Sequence, residues 1–277
     1  MTPKYSTPVE TARSYYNSAD ADHFYATIWG GEDIHIGLYE KKEDSIFEAS
    51  HRTVQKIASL LTLNEGTKVL DMGAGYGGPA RYLAKTYNCH VDCLNISDVQ
   101  NQRTRQLNQE QGLTDKIRII EENFEATSLE NQQYDVVWSQ DSLLHSGNRR
   151  QVLKEVYRIL KKGGNFIFTD PMQCDDCSNE VLQPVLDRLF LDSMGSLSFY
   201  TQTANELGFE QIQIIEMTKQ LVNHYTRVLN QVEDHYNDLS QLCSQEYIDR
   251  MKIGLNHWIN SGKKGYLSWG ILHFCKK

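Results

Sequence analysis

Short apolar segments alternate with amphipathic segments through the middle of the chain. The apolar segments are 68–72, 89–96, 116–121, 134–139 and 165–170. Between them, the spacing of residues predicts helices at 79–87, 99–111 and 148–160. Continuous apolar strands separated by helices are typical of a parallel sheet that is covered on both faces. The pattern therefore predicts an α/β fold.

The two ends of the chain extend this pattern. Residues 5–40 are polar and aromatic and predict one or two short helices, and 44–63 carries the apolar stripe of a longer helix. Later segments predict helices at 178–194 and 201–207, a strand at 209–218, amphipathic helices over 221–261 and a last strand at 266–275. We therefore expect a Rossmann-like, mostly parallel seven-stranded sheet with helices on both faces and a helical cap inserted before the last strand.

The composition limits the classes of partner and the cellular setting. The net charge is −8 and no basic run is longer than two lysines, which argues against a nucleic-acid-binding face and an anionic membrane surface. No apolar run approaches the roughly 20 residues of a membrane-spanning helix, and the first residues lack the hydrophobic core of a signal peptide. Six scattered cysteines suit reduced thiols, so a cytoplasmic location is expected.

One pair of cysteines has the spacing of a metal-binding motif. Cys174 and Cys177 form a CxxC sequence. No second ligand pair follows at the spacing of a zinc site. We therefore predict a solvated loop here and no metal.

A glycine-rich turn follows the first predicted strand, in the stretch 69–78. Glycine permits positive φ and a close approach of backbone to ligand, and a strand, a glycine turn and a helix together form a cofactor cradle. Gly73, Gly75 and Gly78 match the dinucleotide fingerprint, but Asp71 beside them would repel a pyrophosphate. The same carboxylate would attract the sulfonium and ammonium of S-adenosylmethionine. The turn therefore favours S-adenosylmethionine over NAD.

Five motifs fall in one order along the chain. They are Val69 to Gly78, Asn95-Ile96-Ser97, Tyr134 to Ser139, Leu143-Leu144-His145 and Leu160 to Gly164. This ordered set resembles the class I S-adenosylmethionine-dependent methyltransferases over 65–170. The resemblance implies their fold and the cofactor S-adenosyl-L-methionine. We expect three regions, namely an N-terminal lid and helix at 1–64, a cofactor-binding core at 65–220, and the cap with the final strand at 221–277.

Shorter sequence segments indicate which subfamily the chain resembles. The aromatic segment 24–31, followed by His35-Ile36-Gly37, is similar to the entrance of small-amine methyltransferases, which include phosphoethanolamine, tocopherol and sarcosine enzymes. The phrases at 94–97 and 262–270 look most like sarcosine/dimethylglycine N-methyltransferases, which make glycine betaine in salt-stressed cells. The resemblance thus implies N-methylation of sarcosine and dimethylglycine for osmoprotection, with phosphoethanolamine or another small molecule as the alternative acceptor.

The resemblance places the cofactor against residues that follow the first four strands. Asp71 and the adjoining turn would hold the methionine portion, Asn95 the ribose hydroxyls, and residues after the third strand the adenine. Asn95 stands where the family usually has an acid, and an amide can still donate and accept hydrogen bonds. The implied cofactor-binding set is Asp71, Gly73, Ala74, Gly75, Asn95, Ile96, Gln100, Asn123, Phe124 and Gln140.

Catalytic candidates follow the fourth strand or precede the sheet. The resemblance implies that His145 takes part in catalysis with an N-terminal tyrosine, for which Tyr16 and Tyr25 are the candidates. The alternative is that His145 only structures its loop or touches the cofactor. Aromatic faces suit a methylated ammonium and a guanidinium suits a carboxylate, although aromatic residues are usually core. The acceptor-binding candidates are Trp29, His35, Asp141, Arg227, Trp258 and Trp269.

Other functions fit parts of the pattern. An NAD-dependent oxidoreductase would use the glycine turn, and a binding protein that senses S-adenosylmethionine would use the cradle without chemistry. A phosphorylated acceptor should require more basic groups in the cap, and a prenyl acceptor should require an apolar tunnel, whereas this cap is polar. We therefore expect a small-molecule amine as the partner, no nucleic acid, no membrane, and a homodimer.

Overall fold

The computed structural model describes residues 5–277 and forms one sheet from their strands. The strands are β1 (Lys68–Met72), β2 (His90–Leu94), β3 (Ile117–Ile120), β4 (Tyr134–Gln140), β5 (Leu160–Gln173), β6 (Phe209–Glu216) and β7 (Leu267–Lys276). Their order across the sheet is β3-β2-β1-β4-β5-β7-β6. Strands β1 to β5 are parallel, and β7 runs antiparallel to both β5 and β6. The predicted mostly parallel seven-stranded sheet is confirmed.

Consecutive strand residues point to opposite faces of the sheet, and both faces are buried. In β4, Val137 packs in one apolar cluster with Phe166 and Phe168, whereas Val136 and Trp138 pack in another with helical residues before and after β1. This two-sided burial explains why the strands read as continuous apolar runs rather than as alternating ones.

Helices surround the sheet. Within the described chain, the α-helices are α1 (Thr7–Tyr16), α2 (Ala19–Trp29), α3 (Ile46–Ala58), α4 (Gly78–Tyr87), α5 (Asp98–Glu110), α6 (Arg149–Ile159), α7 (Asn179–Leu186), α8 (Leu197–Leu207), α9 (Thr218–Asp234), α10 (Tyr236–Leu242) and α11 (Gln245–Lys263). Most predicted segments coincide with these helices to within a few residues.

Two helices are shorter than their patterns predict. The segment 44–63 is helical only in α3, which starts after Ser45 because Ser45 and Glu48 satisfy each other's backbone N–H groups in a capping box. The segment 178–194 is helical in α7 and one further 3-10 turn. That turn ends at Phe190, whose φ of +54° is left-handed and cannot continue a helix.

The N-terminal helices and the late helices share one apolar cluster. Phe24 of α2, Leu186 of α7, Val228 of α9 and Leu255 of α11 are all buried in it. Leu144, which follows β4, belongs to the same cluster, so this helical layer covers the carboxyl edge of the sheet. The division of the chain at 64/65 and 220/221 stays a prediction.

The state of one cysteine pair differs from the prediction of reduced thiols. Cys174 and Cys177 form a disulfide after β5, since the turn there brings their Cα atoms to 5.5 Å, which lies within the usual range for such a bond. The cysteines at 89, 93, 243 and 275 are free. Across residues 5–277, none of the helices combines the length and the apolar character needed to cross a membrane.

Candidate active site

Two adjoining cavities lie against the carboxyl edge of the sheet, which is where ligands bind in open α/β folds. The first cavity, of about 840 Å³, is lined by all ten predicted cofactor residues. The second cavity, of about 390 Å³, lies under the helical layer. A shared wall separates them and consists of the residues that line both cavities, namely Tyr16, Ile34, His35, Asp141 and His145.

The glycine turn after β1 brings backbone close to its neighbours. Gly73 has a φ of +74°, and a Cβ there would lie only 2.4 Å from the side chain of Ser142. The Ser142 hydroxyl is held in place because it donates to the Met72 carbonyl at 3.0 Å. Gly75 also has positive φ, at +54°. Glycine is therefore required at Gly73 for both conformation and space.

Asp71 lies at the floor of the first cavity with an unmet need for a partner. Its side chain is buried, and no group in residues 5–277 forms a hydrogen bond with its Oδ2. Burial, followed by the negative charge of Asp33, raises the pKa of Asp71 to about 7. A buried carboxylate oxygen is stabilised by a cation or a hydrogen-bond donor. The ammonium of the methionine portion of S-adenosylmethionine is such a partner, so this residue fits the cofactor.

Polar side chains at the ends of β2 and β4 also suit that cofactor. Asn95 donates from Nδ2 to Oε1 of Gln100 at 3.0 Å, so two neutral amides face the first cavity together. Gln140 accepts from the Trp138 indole at 3.0 Å through Oε1, and its buried amide Nε2 has no hydrogen-bond partner within the described chain. Amides both donate and accept hydrogen bonds, so these side chains can bind the ribose hydroxyls and the carboxylate of the cofactor.

The shared wall contains a hydrogen-bonded pair of rings. The hydroxyl of Tyr16 lies 2.9 Å from Nε2 of His145. Burial, followed by the positive charges of Arg149 and Arg188, lowers the pKa of His145 to about 3. The imidazole is therefore neutral at physiological pH and orients neighbouring groups without carrying charge.

Aromatic rings continue from this pair into the second cavity. Tyr25 lies with its ring centroid 5.8 Å from that of Tyr16, and Trp29 lies 4.8 Å beyond Tyr25. Both Tyr25 and Trp29 line the second cavity. Such faces stabilise a cation that is held beside them.

Asp141 is fixed in the shared wall by two donors. Its Oδ2 accepts from the backbone N–H of Ile36 at 2.7 Å, and its Oδ1 accepts from the indole of Trp269 at 2.7 Å. The residue has a φ of +50°, in the left-handed region. His35, on the same wall, has a buried Nε2 that lies 3.9 Å from Oδ1 of Asp33 and has no hydrogen-bond partner among the described residues. The wall thus presents one carboxylate and one imidazole nitrogen that is free to form a hydrogen bond.

Three predicted acceptor residues lie outside the linings of both cavities in the described chain. Trp269 acts on the wall through Asp141. Trp258 is buried in the helical layer and donates to the Val185 carbonyl at 2.8 Å. Arg227 is half-buried, with its guanidinium 5.9 Å from the ring centroid of Tyr39. The three residues were predicted from their residue type, and the structure does not bring them into the second cavity.

The structure places other residues in the second cavity that the sequence did not single out. They are Arg188, His224 and Tyr225, from the turn after α7 and from α9. No motif surrounds them, so their position depends on how the late helices pack. The one sequence signal that could have found them is a charged or aromatic residue within an amphipathic helical stretch, and it does not show which side chains face the cavity.

Comparison with known proteins agrees with this geometry. Residues 70–168 match a family model described as a methyltransferase domain. The chain is 60% identical to a sarcosine/dimethylglycine N-methyltransferase of Aphanothece halophytica over 96% of both chains. It is 54% identical to one of Halorhodospira halochloris, over 97% of this chain and 96% of the other. A crystal structure from Galdieria sulphuraria, provisionally assigned as a sarcosine dimethylglycine methyltransferase, superposes with a TM-score of 0.90 at 41% identity, covering 95% of this chain and 99% of that one.

The sheet order, the acidic glycine turn and the paired cavities define a class I S-adenosylmethionine-dependent methyltransferase. The identity of 60% and 54% over nearly the whole length of two relatives defines the family more narrowly than this class does. The chain belongs to the sarcosine/dimethylglycine N-methyltransferase family. The predicted family, enzyme class and cofactor are confirmed, and the oxidoreductase alternative is set aside.

Proposed function

We propose that this chain transfers methyl groups from S-adenosylmethionine to the nitrogen of sarcosine and of dimethylglycine, which yields glycine betaine. The observation that carries the proposal is the shared wall, because it places a small polar and aromatic cavity directly beside the cofactor cavity. The names of relatives that are 60% and 54% identical over nearly the whole chain support the same acceptors.

The first cavity holds and orients the cofactor. S-adenosylmethionine supplies an electrophilic methyl group on a sulfonium. Asp71 would pair with its ammonium, Asn95 and Gln100 would bind the ribose hydroxyls, and Asn123 with Phe124 would contact the adenine. Gln140 would donate its unpaired amide N–H to a cofactor oxygen. Together these residues would hold the cofactor so that its methyl group is available at the shared wall.

The shared wall aligns the acceptor nitrogen. The Tyr16 hydroxyl and Nε2 of His145 lie 2.9 Å apart, so each ring is held in place at the wall beside the acceptor amine. Alignment and exclusion of water account for most of the rate enhancement expected for such a transfer. Methylation of dimethylglycine gives a quaternary nitrogen that has no proton to lose after the attack. The ammonium form of the acceptor must release its proton to water before the attack, because only the free lone pair can take the methyl group. No strong base is then needed during the transfer to dimethylglycine, which agrees with the low pKa of His145.

Aromatic residues in the second cavity stabilise the charge that develops on nitrogen. Positive charge passes from sulfur to nitrogen during the transfer. The rings of Tyr25 and Trp29 stand in the second cavity beside the shared wall. Their faces attract a cation most strongly when water is excluded, and both side chains are buried.

Product analysis tests this proposal. The purified chain is incubated with S-adenosylmethionine and, separately, glycine, sarcosine, dimethylglycine and phosphoethanolamine, and the methylated products are identified by mass spectrometry. We expect dimethylglycine from sarcosine and glycine betaine from dimethylglycine. The Asp71→Ala variant serves as the control for cofactor-dependent transfer. Methylation of phosphoethanolamine, without methylation of sarcosine or dimethylglycine, would contradict the proposal.

We further propose that the enzyme works in the cytoplasm, as a homodimer, on small amines and without nucleic acid. The net charge of −8 supports the last point, because binding to a phosphate backbone requires a concentrated basic face. Sedimentation velocity at several protein concentrations tests the homodimer. A single species with the mass of one chain would contradict it.

A further inference from the structure

Arg188 is a buried cation that forms no ion pair within the described residues. It lies in the turn after α7, and only 3% of the residue is exposed. Its Nε and Nη1 atoms have no hydrogen-bond partner in that part of the chain. None of the ion pairs within residues 5–277 includes Arg188. Burying an unpaired charge is costly, so this guanidinium is suited to receive an anionic ligand.

Neighbouring side chains hold the guanidinium in one orientation. It stacks 4.8 Å from the ring centroid of Tyr225 and 5.1 Å from that of Trp258. Gly254 of α11 makes room for its stem, because a Cβ there would lie 2.6 Å from Cγ of Arg188. A guanidinium that is stacked and fixed in this way has already lost the side-chain freedom that ligand binding would otherwise restrict.

His224 supplies a second unpaired donor in the same cavity. Its Nδ1 accepts the backbone N–H of Gly37 at 3.2 Å, and the Tyr39 hydroxyl lies 3.0 Å from the same nitrogen. Burial, followed by the nearby His35 and Arg188, lowers the pKa of His224, so the ring is neutral. A neutral ring whose Nδ1 accepts must carry its proton on Nε2. That atom is buried and has no hydrogen-bond partner among the residues that the structure describes.

The charges of the second cavity are separated along its length. Asp141 belongs to the shared wall, next to the cofactor cavity. Arg188 and His224 line the second cavity alone. The reacting nitrogen must lie at the shared wall, since the methyl group arrives from the first cavity. An acceptor with an ammonium at one end and an anion at the other therefore fits in one direction.

We propose that Arg188, assisted by the Nε2–H of His224, binds the carboxylate of the methyl acceptor and so makes the enzyme selective for α-amino acids over amines that lack a carboxylate. This inference rests on the proposed function and identifies the feature of the substrate that the second cavity selects. Arg188 is the sole lysine or arginine among the described residues that line this cavity. One guanidinium matches a singly charged carboxylate, whereas a phosphate dianion would leave one of its two negative charges uncompensated.

Paired acceptors test the inference through kinetics. Dimethylglycine and N,N-dimethylethanolamine present the same nitrogen, but only the first has a carboxylate. We expect Arg188→Met to lower kcat/KM for dimethylglycine by about 10- to 100-fold, mostly through KM, because a charge-assisted hydrogen-bond pair is lost. The value for dimethylethanolamine should change little, and Arg188→Lys should recover part of the loss. A merely structural role of Arg188 would lower both values alike and would overturn the inference.

Arg250→Met is the matched control. Its guanidinium also stacks on aromatic rings, 4.9 Å from the centroid of Phe190 and 5.2 Å from that of Tyr247. Its Nε is also buried and has no hydrogen-bond partner in residues 5–277. It lines neither of the two cavities. We expect wild-type KM values from this variant. Arg227→Met examines the rival arginine, and a selective rise in the KM for dimethylglycine in that variant would overturn the assignment to Arg188.

Binding to the wild-type enzyme decides the matter even where Arg188→Met fails to fold. In the presence of S-adenosylhomocysteine, titration calorimetry compares dimethylglycine, its amide and phosphodimethylethanolamine. We expect the amide and the phosphate to bind at least about 10-fold more weakly than dimethylglycine. Equal binding of the amide, or tighter binding of the phosphate, would overturn the inference. Absence of turnover with sarcosine and dimethylglycine in the wild type would instead contradict the proposed function.

Discussion

The hydroxyl of Tyr16, at the end of α1, lies 2.9 Å from Nε2 of His145, which follows β4. The two residues are 129 positions apart in the chain. Their contact joins the N-terminal helix to the carboxyl edge of the sheet at the wall that both cavities share. The acceptor site is therefore complete only when α1 packs on the sheet.

The Tyr16–His145 pair should assist the reaction without being indispensable. We expect His145→Ala to lower kcat for dimethylglycine by about 10- to 100-fold, as for a loss of alignment. Tyr16→Phe should cause a similar loss, and the double variant should add little because the two residues act together. Steady-state kinetics measure these values. Complete loss of turnover in a folded His145→Ala variant would contradict a positioning role.

The affinity for the cofactor should depend on pH through Asp71. Its pKa is raised to about 7 by burial, so it gains a proton as the pH falls below that value and no longer attracts a cation. We expect S-adenosylhomocysteine to bind about 10-fold more weakly one pH unit below this pKa than at the plateau above it. Calorimetry should also show proton release on binding near pH 7, because the bound ammonium favours the ionised carboxylate.

Asp71→Asn is the control for this pH dependence. The variant should bind S-adenosylhomocysteine weakly and with the same affinity on both sides of pH 7. A pH dependence in the variant that equals that of the wild type would assign the titration to another group.

Gly73 should be far less tolerant of a side chain than another glycine with similar backbone geometry. Gly73 and Gly163 have φ values of +74° and +78°, but only at Gly73 would a Cβ approach a neighbour, at 2.4 Å from Ser142. We expect Gly73→Ala to abolish measurable binding of S-adenosylhomocysteine. Gly163→Ala should cause only the modest loss of stability that positive φ imposes. Similar calorimetric titrations for the two variants would contradict the close-approach argument.

Trp269 should act on the acceptor through Asp141. Trp269→Phe removes the N–H that binds Asp141 Oδ1 at 2.7 Å, which leaves a buried carboxylate oxygen without that donor. We expect the free energy of unfolding to fall by about 1–3 kcal/mol. The KM for dimethylglycine should rise, while the affinity for S-adenosylhomocysteine stays within a factor of about two of wild type. Unchanged stability together with an unchanged KM would disprove this positioning role.

The first cavity was predictable from the sequence to a large extent. Its residues stand at the ends of apolar strands, and parallel strands bring those ends to one edge. The predicted strands therefore bring Asp71, Asn95 and Gln140 to one edge, and all three line the first cavity. The signal is local, because each residue is tied to the strand beside it.

The second cavity was predictable only in part. Arg188 and His224 come from helical stretches with apolar faces, where the pattern gives no indication of which side chain points toward the sheet. Arg227 had the residue type that a carboxylate requires, but it lies near Tyr39 instead. The early end of the helix before Phe190, which helps to place Arg188, depends on a left-handed residue that the apolar pattern did not reveal.

A crystal structure of the chain with S-adenosylhomocysteine and dimethylglycine tests the central claim most directly. We predict the homocysteine ammonium within hydrogen-bonding distance of Asp71, the acceptor nitrogen at the wall between Tyr16, Asp141 and His145, and the acceptor carboxylate on Arg188. Dimethylglycine bound outside the second cavity, or with its nitrogen turned away from the cofactor sulfur, would contradict the account.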